Sequence, residues 1–284
     1  MRLKPVILAA VFTAAASATL AAEPAASSAA AQARVRATLA ADVGPMPADA
    51  AALDGYVARE DWTPLIKRLA STTAPGDMLL DLDWERSKVV NGGNLLFDIA
   101  YVNSVWKVAS SLRGPVADQM RQTAVAFALY ELAVVDLDGL RCKDPTAPAQ
   151  KRALAVKNWP VIFRYGQSLP PQAQQVVEQV AVKLEWATAP VRANDPVLCR
   201  GGVAEMQANL AAGAKPQEVP TTRAPNDLPG KAYEIPHIVD YKPQYLAETV
   251  WKPRAEAGRA RLPEAFAALL KAPPAAAPPP APVK

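Results

Sequence analysis

The chain is poor in the residues on which most enzyme chemistries depend. Of 284 residues, one is histidine and two are cysteine. A lone histidine, His237, removes zinc sites built from several imidazoles and the His-dependent nucleophilic triads, unless it acts by itself. It stands among Pro236, Ile238 and Tyr241, a setting that suits a packed or surface residue. There is no C-x-x-C pair, which excludes the common dithiol redox motif. The 13 glycines form no phosphate-cradling loop, no dinucleotide fingerprint and no G-x-S-x-G nucleophile turn, so no cofactor is expected. The net charge is only +4, and no basic stripe interleaved with aromatics appears, so nucleic acid is not an expected partner. Beyond the first residues, no apolar run approaches the ~20 residues that a bilayer span needs.

What the chain has in excess is proline and apolar surface. Its 28 prolines are about twice the usual share, and they cluster late, which marks long segments that cannot be helices. Hydrophobic residues make up 51%, ample for a sizeable core. Residues 1–22 place Arg2 and Lys4 ahead of an apolar stretch that ends in small residues, the pattern of a secretory signal cut between Ala18 and Ala22. Its removal with Arg2 and Lys4 lowers the net charge from +4 to +2. No lipobox cysteine follows. The mature protein is therefore expected to be soluble outside the cytoplasm, periplasmic or secreted.

The fold is organised around residues 116–141. From Ala124 to Val135 the only charge is Glu131, so this helix must be covered on nearly all sides. A second helix, capped by Asn94 and running to about Arg113, carries apolar stripes through Leu95, Ile99, Val102, Trp106 and Ala109 and through Phe97, Tyr101, Val105, Val108 and Leu112. Gly114 and Pro115 join the two directly, which predicts an antiparallel hairpin. Residues 78–86 alternate like a strand, yet leucine, glutamate and arginine favour helix, the reading adopted here. Further helices are expected at residues 49–57, 63–69, 149–165 with a break or kink at Pro160, 171–189 and 203–212. Residues 23–47 read as a flexible Ala-rich leader or frayed helix. The prolines and aromatics of residues 214–252 suggest an extended arm packed on the helical domain of residues 48–213. A C-terminal helix within residues 253–271, opened by Pro263, and an exposed Ala/Pro tail at residues 272–284 complete the expected organisation. The fold class is thus mainly α, an exported irregular helical bundle.

Three sets of residues could carry chemistry. In an oxidising compartment an even cysteine count favours a disulfide, and Cys142 with Cys199 is the one intramolecular pairing available. Helix order returns the chain to the pole where Cys142 ends the central helix, so the geometry agrees. Glu131 breaks the most apolar helix, where burial would raise its pKa toward that of a general acid; a structural glutamate with a hydrogen bond or basic partner is the commoner case. Asp81, Asp83 and Glu85 could hold a cation, although a solvated acidic face is the simpler reading. Residues 134–145 fail as a calcium loop, because the first ligand would be Val134 and the last Pro145. These features suggest an exported cell-envelope protein of non-enzymatic type that binds a partner protein or wall polymer. The alternatives are a carboxylate-dependent envelope hydrolase with Glu131 as acid and a second carboxylate still to be found, and a small-molecule binder between helices.

Overall fold

The computed structural model describes residues 25–41, 43–220 and 232–271. The expected secretory signal and Ala/Pro tail lie outside the described residues, as do residues 221–231 of the expected arm. The described chain is mainly helical, with twelve α-helices: α1 (Ala25–Ala41), α2 (Ala50–Ala58), α3 (Trp62–Ser71), α4 (Pro75–Val90), α5 (Leu95–Ser111), α6 (Pro115–Asp138), α7 (Thr146–Asn158), α8 (Pro160–Ser168), α9 (Pro171–Thr188), α10 (Val203–Ala211), α11 (Glu248–Arg259) and α12 (Leu262–Lys271). One two-stranded antiparallel hairpin pairs β1 (Gln217–Val219) with β2 (Ala232–Glu234).

The central helix is α6. Every residue from Thr123 to Val135 is buried, because α5, α7, α8, α9 and α11 surround it. Its most extensive contact is with α5, as the short Gly114–Pro115 connection requires. Gly114 takes φ +70°, a left-handed conformation that glycine adopts without strain, and Pro115 then occupies the first turn, where its missing N–H costs nothing. At the other end of α5, the Asn94 side chain accepts from Leu96 N and caps the helix. Gly92 precedes it with φ +76°; a Cβ there would lie 2.6 Å from Val191 O. The α4–α5 turn is held that close to the segment after α9. Aromatic edges lock the hairpin: Tyr101 meets Phe127 at 4.5 Å, and Trp84 of α4 meets Phe97 at 5.7 Å.

Residues 78–86 lie inside α4, so helix propensity and burial of Leu82, Trp84 and Glu85 outweigh the alternating pattern. Pro160 divides the expected 149–165 helix into α7 and α8, and buried Trp159 fills the break, donating Nε1–H to Asn103 Oδ1 at 2.8 Å. The Ala-rich stretch read as a leader or frayed helix contains α1, whose Gln32 and Arg36 donate to Trp186 O and Ala187 O of α9. Residues 248–252, assigned to the arm, instead begin α11; Pro253 sits on its exposed side within the helix. Between β2 and α11 the chain runs against the end of α6, where Leu246 N donates to Arg141 O and Lys143 N to Gln244 O. Among the described residues, no helix is long and apolar enough to cross a membrane.

Candidate functional site

Cys142 and Cys199 form a disulfide, with their Cα atoms 5.3 Å apart. Cys142 follows the 3₁₀ turn that ends α6, and the segment after α9 brings Cys199 back to the same pole. Both are buried with Leu95, Val135 and Leu198, and Tyr245 packs over them.

The same pole holds a network of buried charges. Arg192 donates to Asp138 Oδ2 at 2.6 Å and to Glu185 Oε1 at 2.8 Å, and Arg259 of α11 clasps Glu185 with Nε and Nη2 at 2.6 and 2.9 Å. Arg141 reaches Asp138 at 3.3 Å and stacks over Trp251, 4.4 Å from the ring centre. Burial alone would raise Glu185, but the Arg259 hydrogen bonds and the charges of Arg192 and Arg259 outweigh it and hold the carboxyl below its ordinary range. This network binds α6, α9 and α11 together; both oxygens of Asp138 and of Glu185 are bonded within it, while Arg141 Nε takes no partner among the described residues.

Glu131 has a different environment. It is 1% exposed, and its Oε2 takes no hydrogen bond from any described residue. The hydrogen bond or basic partner expected of the carboxylate is absent at Oε2 among the described residues. Its charged neighbour is another acid. Tyr101 faces Phe127 across the hairpin, and one turn further in the antiparallel register Asp98 comes opposite Glu131. Asp98 is 2% exposed, and neither of its carboxylate oxygens has a hydrogen-bond partner among the described residues. Burial first, and the Asp98 charge second, push Glu131 well above the carboxylate range. Burial likewise raises Asp98, opposed by the charge of Arg192 and reinforced by Asp195 and Asp138. Asp98 is thus the second carboxylate that a hydrolase reading would require, but the pair is enclosed in the α5–α6 interface.

Asp81, Asp83 and Glu85 do not converge on a common point. Asp81 and Glu85 share one face of α4, whereas Asp83 points toward Gly44 and pairs with Arg86 at 3.1 Å. No group of three or more His, Cys, Asp or Glu side chains suited to a metal ion occurs among the described residues. What Asp81 and Glu85 do form is the floor of a groove of about 290 Å³ between α3, α4 and α5. Ile66, Leu69, Met78 and Val108 contribute apolar walls, and Thr72, Ser104, Asn103 and Lys107 bring polar groups. Asp81 Oδ2 accepts from Arg68 Nη1 and Thr72 Oγ1, both at 2.7 Å, while Oδ1 takes no hydrogen bond. Glu85 is fully buried; Oε1 accepts from Ser104 Oγ at 2.9 Å, and Oε2 takes none from the described residues. Burial pushes its pKa up to about 8, with the Ser104 hydrogen bond opposing, the Asp81 charge adding and Lys107 opposing weakly. Lys107 Nζ itself donates to Thr72 O at 2.9 Å on the rim.

His237 is a surface residue, its side chain 61% exposed, with Nδ1 3.2 Å from Glu205 Oε1. Sequence reasoning did not single out Asp98, Ser104, Lys107 or Arg192. Helical spacing carries a signal for the first two, since Asp98 follows Leu95 by three and precedes Val102 by four, and Ser104 precedes Val108 by four. Nothing local marks Arg192, which is defined by what folds around it. No protein-family model, curated protein or solved structure matches this chain.

Proposed function

We propose that this chain is an exported cell-envelope protein of non-enzymatic type, and that its binding site is the groove between α3, α4 and α5. The observation that carries this reading is the floor of the groove, where two buried carboxylates each keep an oxygen without a donor among the described residues, beneath largely apolar walls. Few well-placed polar groups in an apolar cleft are the usual composition of a ligand site. A volume of about 290 Å³ suits a small molecule, or one residue-sized part of a wall polymer or partner protein. The enclosed position of Glu131 and Asp98 supports binding over a hydrolase that uses Glu131 as its acid, because a general acid must come within hydrogen-bond reach of its substrate. In this reading residues 1–22 direct export to the periplasm or beyond, the disulfide forms there, and the arm, shortened to residues 214–247, and the tail of residues 272–284 extend the contact with an envelope partner.

Two measurements test the proposal. A fusion of residues 1–22 to a reporter that is active only outside the cytoplasm should give signal, and silence would remove the export half. Ala70→Trp, at the exposed lip of the groove, should abolish binding of wall fragments while leaving the thermal transition in place. Full binding by that variant would move the site elsewhere.

A further inference from the structure

We infer that the α3–α4–α5 groove recognises a carboxamide carried on an apolar body, its carbonyl oxygen meeting Glu85 and its N–H meeting Asp81. This rests on the groove being the binding site. Asp81 and Glu85 are four residues apart on α4, so their side chains leave the same face one turn apart. Each commits one oxygen inside the protein, Asp81 Oδ2 to Arg68 and Thr72 and Glu85 Oε1 to Ser104, and keeps the other free of donors among the described residues.

The two free oxygens differ in kind. With its pKa near 8, Glu85 holds a proton at neutral pH, and since Oε1 already accepts from Ser104, Oε2 is the oxygen left to donate. Asp81, ion-paired with Arg68 at 2.7 Å, offers an acceptor. The charged and titratable groups facing Glu85 are Asp81 on its own helix and Lys107 and Tyr101 on α5; Arg68 of α3 is engaged by Asp81. A donor beside an acceptor is complementary to an amide, whose C=O and N–H each find the opposite group. An ammonium would have to drive the proton from Glu85, and a carboxylate would meet the negative charge of Asp81. Ile66, Leu69, Met78 and Val108 then cover the apolar body. Both free oxygens are closed to bulk solvent, so binding widens the groove slightly.

The test titrates the full chain, disulfide formed, with the near-isosteric probes isovaleramide, isoamylamine and isovalerate, read at the Met78 methyl group by NMR on either side of pH 8. Isovaleramide should bind at least about tenfold more tightly than the other two at neutral pH, the value of one good hydrogen bond to a buried polar group. Its affinity should fall as the pH passes about 8, where Glu85 loses the proton it donates. Glu85→Gln keeps a donor, so amide binding should survive and its pH dependence should vanish. N-acetylglucosamine and N-acetylleucine methylamide, run beside these probes, assign the amide to a glycan or a peptide source, and tighter binding of either than of isoamylamine supports the inference. If isoamylamine or isovalerate binds best, or if Glu85→Gln abolishes amide binding, amide recognition fails and the groove remains a binding site. If no probe moves Met78, the groove and the inference fall together.

Discussion

Two regions of this molecule bury acids in opposite ways. At the disulfide pole, Asp138 and Glu185 are buried against Arg192, with Arg141 and Arg259 completing the set. Along the two sides of α5, Asp98 and Glu131 on one side and Glu85 on the other are buried without an arginine bonded to them. Burial is similar in both places, so the partner decides the protonation state. With arginines, the Glu185 carboxyl is held below its ordinary range; without them, burial pushes Glu85 up to about 8 and Asp98 and Glu131 well above their ordinary values. The first arrangement ties helices together. The second leaves carboxyl oxygens without a bonded partner among the described residues, and of these acids Glu85 lies beneath the groove.

The comparison is broken most severely at Arg192. Arg192→Met leaves Asp138 and Glu185 short of a cation in the interior and should cost roughly 3–5 kcal/mol by urea unfolding, the usual consequence of stranding buried charges. A loss below about 1 kcal/mol would mean that Arg141 and Arg259 suffice. Next in size is the disulfide, which closes a 57-residue separation at the same pole. Replacing both Cys142 and Cys199 by Ser should cost about 2–4 kcal/mol, less any strain the bond carries. Denatured, unreduced protein should show no reactive thiol and gain two on reduction; thiols before reduction would contradict the pairing.

Across the hairpin the sign reverses. Glu131→Gln together with Asp98→Asn removes two acids to which no basic side chain is hydrogen-bonded among the described residues, so the double variant should be as stable as the parent at neutral pH or better by ~1 kcal/mol. A loss of several kcal/mol would show that their protons serve a bond essential to the core. The pH dependence sharpens this further. Raised acids keep protons in the fold that the unfolded chain releases near pH 4, so their stabilising contribution is full at low pH and is lost as pH rises, at up to about 1.4 kcal/mol per pH unit for each group. For Glu85 that window runs from 4.5 to about 8. Glu185 acts in the opposite direction, contributing above its ordinary value and losing that contribution as pH falls through its lowered one. Unfolding curves should therefore flatten between pH 5 and pH 8, taken as approximate limits, in Glu85→Gln and in the Asp98/Glu131 double variant. Arg259→Gln, at the partly exposed rim of the network, removes part of what lowers Glu185 and should make the loss at acid pH shallower, by a smaller amount.

The helical body was legible where apolar periodicity and breakers agree. The run around Glu131 required a covered helix, Gly114–Pro115 required a hairpin, and Pro160 required a kink or a break, of which the structure has the break, because each rests on local sterics or on a stripe that only one packing can bury. The disulfide followed from there being two cysteines and from helix order. The partners of the buried acids were not legible. Whether Glu131 meets an arginine or Asp98 depends on hairpin register, and whether Glu85 lies on a solvated face or under a groove depends on how α3 crosses α4 and α5. Those are tertiary facts, and the alternating run at residues 78–86 hid them by resembling a solvated edge. The start of α11 at Glu248 was missed for a local reason, since Pro253 lies inside the helix, where its missing N–H removes the usual bond to the carbonyl of Thr249, and frequent prolines argue against helix.

The most direct measurement is a pH titration of the side-chain carboxyl carbons by NMR on the full chain. Glu85, Asp98 and Glu131 should remain protonated at neutral pH, with Glu85 releasing its proton near 8, while Glu185 should already be ionised below its ordinary value of 4.5. Titration of Glu85 and Glu131 together with Glu185 in the ordinary carboxylate range would contradict the difference between the two regions, and with it the neutral donor on which recognition in the groove depends.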